Sequence, residues 1–204
     1  MEQNTLLLFL ISSMALTLFP GPDILFVIST SLAQGWKRGF LVSLGLCSGL
    51  IVHTALVVLG LGTFLEQFPE TVRTIELLGA SYLLFIAFQL WKSPVQNLNS
   101  KSERQGSNRL FFTGFIMNLT NPKVSLFFIS FFPGFLFSEV LTYNQQFLIL
   151  GGIFFIQALL VFTASAIFVG SLGQRVQNFG KQSVWNKIQS AVLIVIAVLL
   201  INPK

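Results

Sequence analysis

The chain has 204 residues, of which 53 % are apolar and only 9 % charged, and its formal net charge is +5. An average soluble domain carries about 25 % charged residues, so a hydrated surface of ordinary size is excluded and a lipid-solvated one is implied. The basic residues stand singly or in pairs between apolar runs, which argues against a nucleic-acid partner, and the lone Cys47 excludes an internal disulfide and a thiolate metal cluster.

Six apolar runs of about membrane length are predicted, at roughly 5–33, 39–65, 72–91, 110–137, 146–171 and 186–202. The first follows Glu2 with no Lys or Arg before it, so it reads as a span rather than a signal peptide. The longest polar stretch, Lys92 to Arg109, divides the chain near its middle and reads as a loop. The expected fold is therefore an all-α membrane protein: one domain over 1–204, with repeat one at about 1–92, a loop at about 93–109 and repeat two at about 110–204.

The charge distribution predicts orientation. With the N-terminus outside, the inner loops hold nine basic residues, Lys37, Arg38, Lys92, Lys101, Arg104, Arg109, Arg175, Lys181 and Lys187, and the outer side only Arg73 and Lys204. Trp36, Trp91 and Trp185 all fall at inner ends, as an interfacial belt does. Both termini are expected on the outer, periplasmic face.

Prolines interrupt the first and fourth runs. The first contains Phe19-Pro20-Gly21-Pro22-Asp23 and the fourth Leu119-Thr120-Asn121-Pro122-Lys123, so that Pro22 and Pro122 hold matching places and each precedes a charge. The second motif lies three helices further along the chain than the first, an odd offset, so the halves run through the membrane in opposite senses: two inverted three-helix repeats with broken helices 1 and 4. Proline has no N–H, so Pro20 and Pro22 leave the carbonyls of Leu16 and Leu18 without helical donors, and Pro122 does the same for Asn118. Such groups are costly in hydrocarbon and must face protein, ligand or water. Each proline also suits the first position of a new half-helix, whose free N–H groups would point into an internal cavity.

The residues at the breaks carry two readings each. Asp23 in the first turn of a half-helix stabilises its dipole, or it binds a ligand or exchanges protons. Lys123 at a half-helix N-terminus is electrostatically unfavourable and needs an anion, from Asp23 or from a ligand; it is the strongest candidate. Asn118 and Asn121 line the same break, and Asn121 also suits the N-cap before Pro122. In the second run Gly45, Gly49 and His53 recur every four residues on one face. The glycines suit close helix packing. His53, the only histidine, suits either a proton carrier or a hydrogen-bonded core residue, and cannot build a metal site alone. Gln89 and Gln157 are weaker candidates, and Glu76 is expected near the outer end of the third run.

These residues resemble the LysE/RhtB family of bacterial amino-acid exporters. Pro20-Gly21-Pro22-Asp23 is similar to the family's signature in its first helix, and the Gly45, Gly49 and His53 face to its second. Gly79-Ala80-Ser81-Tyr82-Leu83 resembles its third, and Gly114 through Asn118 with Asn121-Pro122-Lys123 its fourth; the last two runs add little. The resemblance implies proton-driven efflux (an antiport) of amino acids or close derivatives across the inner membrane, with no cofactor. Lys123 and the half-helix N–H groups would take the substrate carboxylate and Asp23 the ammonium group, in a site lined by Pro20, Gly21, Pro22, Asn118, Asn121 and Pro122, with Asp23 and His53 as proton-coupling candidates. A metal-cation exporter of the same superfamily is the alternative, disfavoured by Lys123 and the scarcity of intramembrane carboxylates. A membrane enzyme lacks any HExxH or GxSxG motif here, and a mere scaffold would not need charges beside both breaks. The small bundle and its Gly-rich faces suit a homodimer.

Overall fold

The computed structural model describes residues 2–18, 21–92 and 106–172, together with Lys187, Ser190, Ala191, Ile194, Val195, Ala197, Val198 and Ile201. Pro20, the loop residues Lys101 and Arg104, and Arg175, Lys181, Trp185 and Lys204 lie outside the described residues, as do the side chains of Glu76, Tyr82, Leu83 and Gln89. Every regular element among the described residues is helical.

The first apolar run forms two helices, α1 (Glu2–Leu18) and α2 (Pro22–Gln34), bent by 56° at the break between them. The bend has a chemical cause, since Pro20 and Pro22 remove two successive donors and Pro22 then opens the next helix at its first position. At its other end α2 stops at Gly35, which adopts φ 87°, a left-handed conformation that glycine tolerates best. The Gly35 N–H donates to the Ser31 carbonyl at 3.0 Å, and Trp36 begins α3 at once.

Helix α3 (Trp36–Leu56) continues through a π-helical stretch, Val57–Gly62, into α4 (Thr63–Gln67). A short 3-10 turn leads to α5 (Val72–Lys92). The fourth apolar run is again two helices, α6 (Ser107–Thr120) and α7 (Pro122–Phe131), and the long α8 (Tyr143–Leu172) follows. Among the described residues two helices are long and apolar enough to cross a membrane, Trp36–Gln67 and Tyr143–Ser171, and α1 with α2 makes a third if the bent pair is one span.

Helix α3 lies against both α6 and α8, α2 against α3 and α8, α1 against α8, and α5 against α7. The described helical residues near the C-terminus run antiparallel to α5. Ser190 Oγ donates to the Ala87 carbonyl at 2.8 Å, while Arg73, near the start of α5, donates to the Ile201 carbonyl. The centre is aromatic: Phe9, Phe127, Phe131 and Phe132 are fully or almost fully buried, and Phe9 meets Phe132 edge to face at 5.4 Å. Leu7, Ile11, Ile51, Leu59, Phe112 and Leu160 point outward instead, as lipid permits.

Lipid tails remove the hydrophobic drive for helix association, so close contact and dispersion must hold the bundle. Helices α3 and α6 meet almost backbone to backbone. A Cβ on Gly45 would collide with the Phe111 carbonyl, and one on Gly114 with the Val42 carbonyl. Neither carbonyl can rotate away as a side chain would. Gly45→Val is therefore expected to destabilise the bundle by ~1–3 kcal/mol or more, as overpacking does. Gly152→Ala, where an added Cβ meets nothing within 4 Å, is the neutral control. Thermal melting in detergent, followed by size exclusion, checks both.

Candidate functional site: a polar junction at two helix breaks

The two breaks meet in the interior, and Asn121 joins them. Its backbone leaves helical geometry (φ −75°, ψ 106°), as the residue before a proline must, and Pro122 starts α7. The Asn121 side-chain oxygen accepts from the Lys123 backbone N–H at 3.1 Å, which caps α7. Its side-chain nitrogen donates to Asp23 Oδ1 at 3.0 Å. The other carboxylate oxygen, Oδ2, accepts a longer bond of 3.4 Å from Asn118 Nδ2. Asp23 is thus held by one amide from each side of the α6–α7 break, and it is only 7 % exposed.

Lys123 reaches the opposite way. Its Nζ donates to the Leu16 carbonyl at 3.0 Å. That carbonyl is the one Pro20 deprives of its helical partner, so the cation of the second half satisfies the break of the first. The reciprocal contact comes from His53, whose Nε2 lies 3.3 Å from the Asn118 carbonyl, the group that Pro122 deprives. A carbonyl only accepts, so Nε2 carries the proton in this bond. Asn121 N–H also donates to the Asn118 carbonyl, at 3.1 Å, tightening the last turn of α6. The His53 ring stacks on Phe128 with centroids 5.4 Å apart, which fixes its plane. Asp23 and Lys123 stand as opposite charges at the same junction.

Of the residues singled out in the sequence, Asp23, Lys123, Asn118, Asn121 and His53 come together here, and Pro22 and Pro122 open the two half-helices. Gly21 is the extended residue before α2, and its carbonyl accepts from Leu25 N–H at 3.1 Å. Gly45 and Gly49 serve the same junction by packing. A Cβ on Gly49 would strike the Asn118 side chain, so this glycine is what lets Asn118 stand beside α3. Pro20 lies outside the described residues.

Two further polar residues border the junction: Gln157, a weaker candidate from the sequence, and Thr17, which the sequence did not single out. Gln157 Nε2 donates to Thr17 Oγ1 at 2.9 Å, and Thr17 donates to the Ser13 carbonyl at 2.9 Å. Thr17 adjoins Leu16, so this pair borders the Lys123 contact. The signal for Gln157 was slight: it is the only polar side chain between Gly152 and Thr163. Thr17 gave none, since a threonine bonded to its own helix looks like any other in a membrane span.

The arrangement places a carboxylate and an ammonium group at two helix starts inside an apolar bundle, each with hydrogen-bond partners of its own. Buried opposite charges on irregular backbone are costly in a membrane bundle and are characteristic of membrane transport proteins. Among the described residues no three His, Cys, Asp or Glu side chains gather as a metal site requires. A profile of the LysE type translocators matches residues 14–203, and the chain belongs to that family. It is a translocator, not an enzyme. It is 27 % identical over 197 residues to the homoserine/homoserine lactone efflux protein of Salmonella typhi, covering 96 % of this chain and 95 % of that one, and equally to the protein of that name from Salmonella typhimurium. It is 30 % identical over 144 residues to the leucine efflux protein of Enterobacter sp. (strain 638), covering 70 % of this chain and 68 % of that one. No solved structure matches it.

Proposed function

We propose that this protein is a secondary exporter of amino acids or small amino-acid derivatives across the bacterial inner membrane. The observation that carries the reading is the pair of opposite charges placed at the two helix breaks. Asp23, gripped by Asn118 and Asn121, suits an ammonium group, and Lys123, which reaches a carbonyl of the other half, suits a carboxylate. A zwitterion lying between them would complement both charges at once, and lower the cost of burying either. The names of the relatives, efflux proteins for homoserine, homoserine lactone and leucine, support the same cargo class.

In this reading the chain crosses the membrane six times, as two inverted three-helix repeats with both termini periplasmic. The α1–α2 and α6–α7 pairs, each interrupted before a proline, are the broken helices of the two repeats. One repeat rocks against the other to expose the junction alternately to each side. Export is coupled to proton entry, with Asp23 or His53 as carrier, and the protein works as a homodimer or as a single bundle.

The test is counterflow. Proteoliposomes holding the full-length chain and loaded with an unlabelled amino acid are expected to accumulate the labelled one from outside. A panel that includes homoserine and leucine checks this. Failure of every amino acid in the panel, with correctly inserted protein, would refute the export reading.

A further inference from the structure

Deep in the bundle, five side-chain oxygens lack a hydrogen-bond partner among the described residues: those of Thr30, Asn118, Asn144, Gln157 and Thr163. A buried amide oxygen without a donor forfeits ~1–3 kcal/mol, so each invites an explanation. Asn118 Oδ1 and Asn144 Oδ1 occupy the space that a side chain on Gly49 and on Gly62 would need, each packed against another helical segment. The oxygens of Thr30 and Thr163 belong to rotatable hydroxyls. Gln157 Oε1 is different. It belongs to a planar amide that is only 4 % exposed, in the middle of α8, at the level of the α1–α2 break.

The orientation of this amide is fixed by its surroundings. Thr17 spends its hydroxyl proton on the Ser13 carbonyl, so its oxygen can only accept from Gln157. Nε2 must therefore face Thr17, and Oε1 must face away. One turn earlier on α8, Phe154 packs against Phe127 and Phe128 at 5.1 and 5.4 Å, and Phe128 carries His53. Gln157 Oε1 is thus one fixed, buried acceptor, a turn of α8 away from the aromatic contacts of Phe154. A few placed polar atoms in apolar surroundings is how a small-molecule site sets specificity.

We propose that Gln157 is a specificity-determining residue, whose side-chain oxygen accepts a hydrogen bond from a hydroxyl on the side chain of the transported molecule. The inference rests on the export reading above. That reading assigns the substrate's two charges to Asp23 and Lys123. A neutral donor is what remains to match a neutral oxygen. A substrate without the hydroxyl leaves Oε1 unpaired, and a site built to bond a hydroxyl rejects such an analogue strongly.

The experiment uses homoserine and norvaline, which differ by a hydroxyl against a methyl group. Counterflow in proteoliposomes of the full-length chain is measured with each, competing against the other. The wild-type protein is expected to favour homoserine by roughly tenfold or more. Gln157→Leu, and Gln157→Met as the unbranched substitute should leucine disturb folding, are expected to erase that preference by raising KM for homoserine while norvaline transport continues. Equal loss for both substrates, an unchanged ratio, or a wild-type preference for norvaline would each overturn the proposal. Absence of counterflow with every amino acid overturns the export reading and this inference with it. Counterflow with an unchanged ratio overturns this inference alone.

Discussion

Lys123→Ala is expected to reduce counterflow to background, a loss of roughly 100-fold or more, because a desolvated charge partner is worth several kcal/mol. The effect has two parts. The substitution removes the proposed carboxylate ligand, and it strips the Leu16 carbonyl of the donor that Nζ supplies at 3.0 Å. An unpaired buried carbonyl costs about 1–3 kcal/mol, enough to loosen the first break without unfolding the chain. Lys123→Arg separates the two contributions. It keeps a donor for the carbonyl and a cation for the substrate, but replaces a compact ammonium with a broad planar fork. It is expected to melt near the wild-type temperature and to transport poorly. Measurement requires counterflow beside size exclusion in detergent. Undiminished transport by the Lys123→Ala protein would remove Lys123 from the site.

The second large effect belongs to Asp23. Asp23→Leu should abolish transport and also lower stability. It leaves the amide nitrogens of Asn118 and Asn121 without their shared acceptor, two buried donors at once. Asp23→Asn is the sharper probe. It is isosteric, but an amide can offer an oxygen to only one neighbour and must turn its own N–H groups toward the other. Transport is expected to fall to background, with a smaller loss of stability than in Asp23→Leu. Combining Asp23→Asn with Lys123→Met tests the electrostatic part. Removing both charges together should restore some of the stability that either single change loses, since a lone buried charge is worse than none. Transport should stay absent. Thermal melting of the four proteins forms a double-mutant cycle, and strict additivity would show that the two charges do not sense each other.

Much of the junction was legible because proline leaves a definite chemical debt. Pro20, Pro22 and Pro122 name the carbonyls that lose their donors, and a charge follows Pro22 and Pro122 at once. From that the bends, the starts of α2 and α7, and the cap at Asn121 could be read. What could not be read was who supplies the missing donors. Lys123 Nζ takes the Leu16 carbonyl and His53 the Asn118 carbonyl, pairings set by how the helices lie side by side and not by spacing along either one. The partnership of Asp23 with the two asparagines was hidden for the same reason. Gly49 was legible as a packing residue, but its particular service, making room for Asn118, depends on which helix lies opposite. The breadth of the apolar runs also hid the short 3-10 turn at Pro133–Phe135, which ends the fourth run as an ordered corner.

The crosswise satisfaction of the two breaks has a consequence for how the protein is made. The first half carries a defect that the second repairs, the Leu16 carbonyl that receives Lys123 Nζ, while the Asn118 carbonyl of the second half, already bonded to Asn121 N–H, gains His53 from the first. A chain inserted from its N-terminus therefore holds an unmet acceptor in its first helix until more than a hundred further residues have been synthesised. The first half is an unfinished object during that interval, reliant on water or on the insertion machinery to shelter its bend. Docking of the second half then supplies Lys123 to the first break and His53 to the second, so that neither repeat makes its full set of contacts before the other.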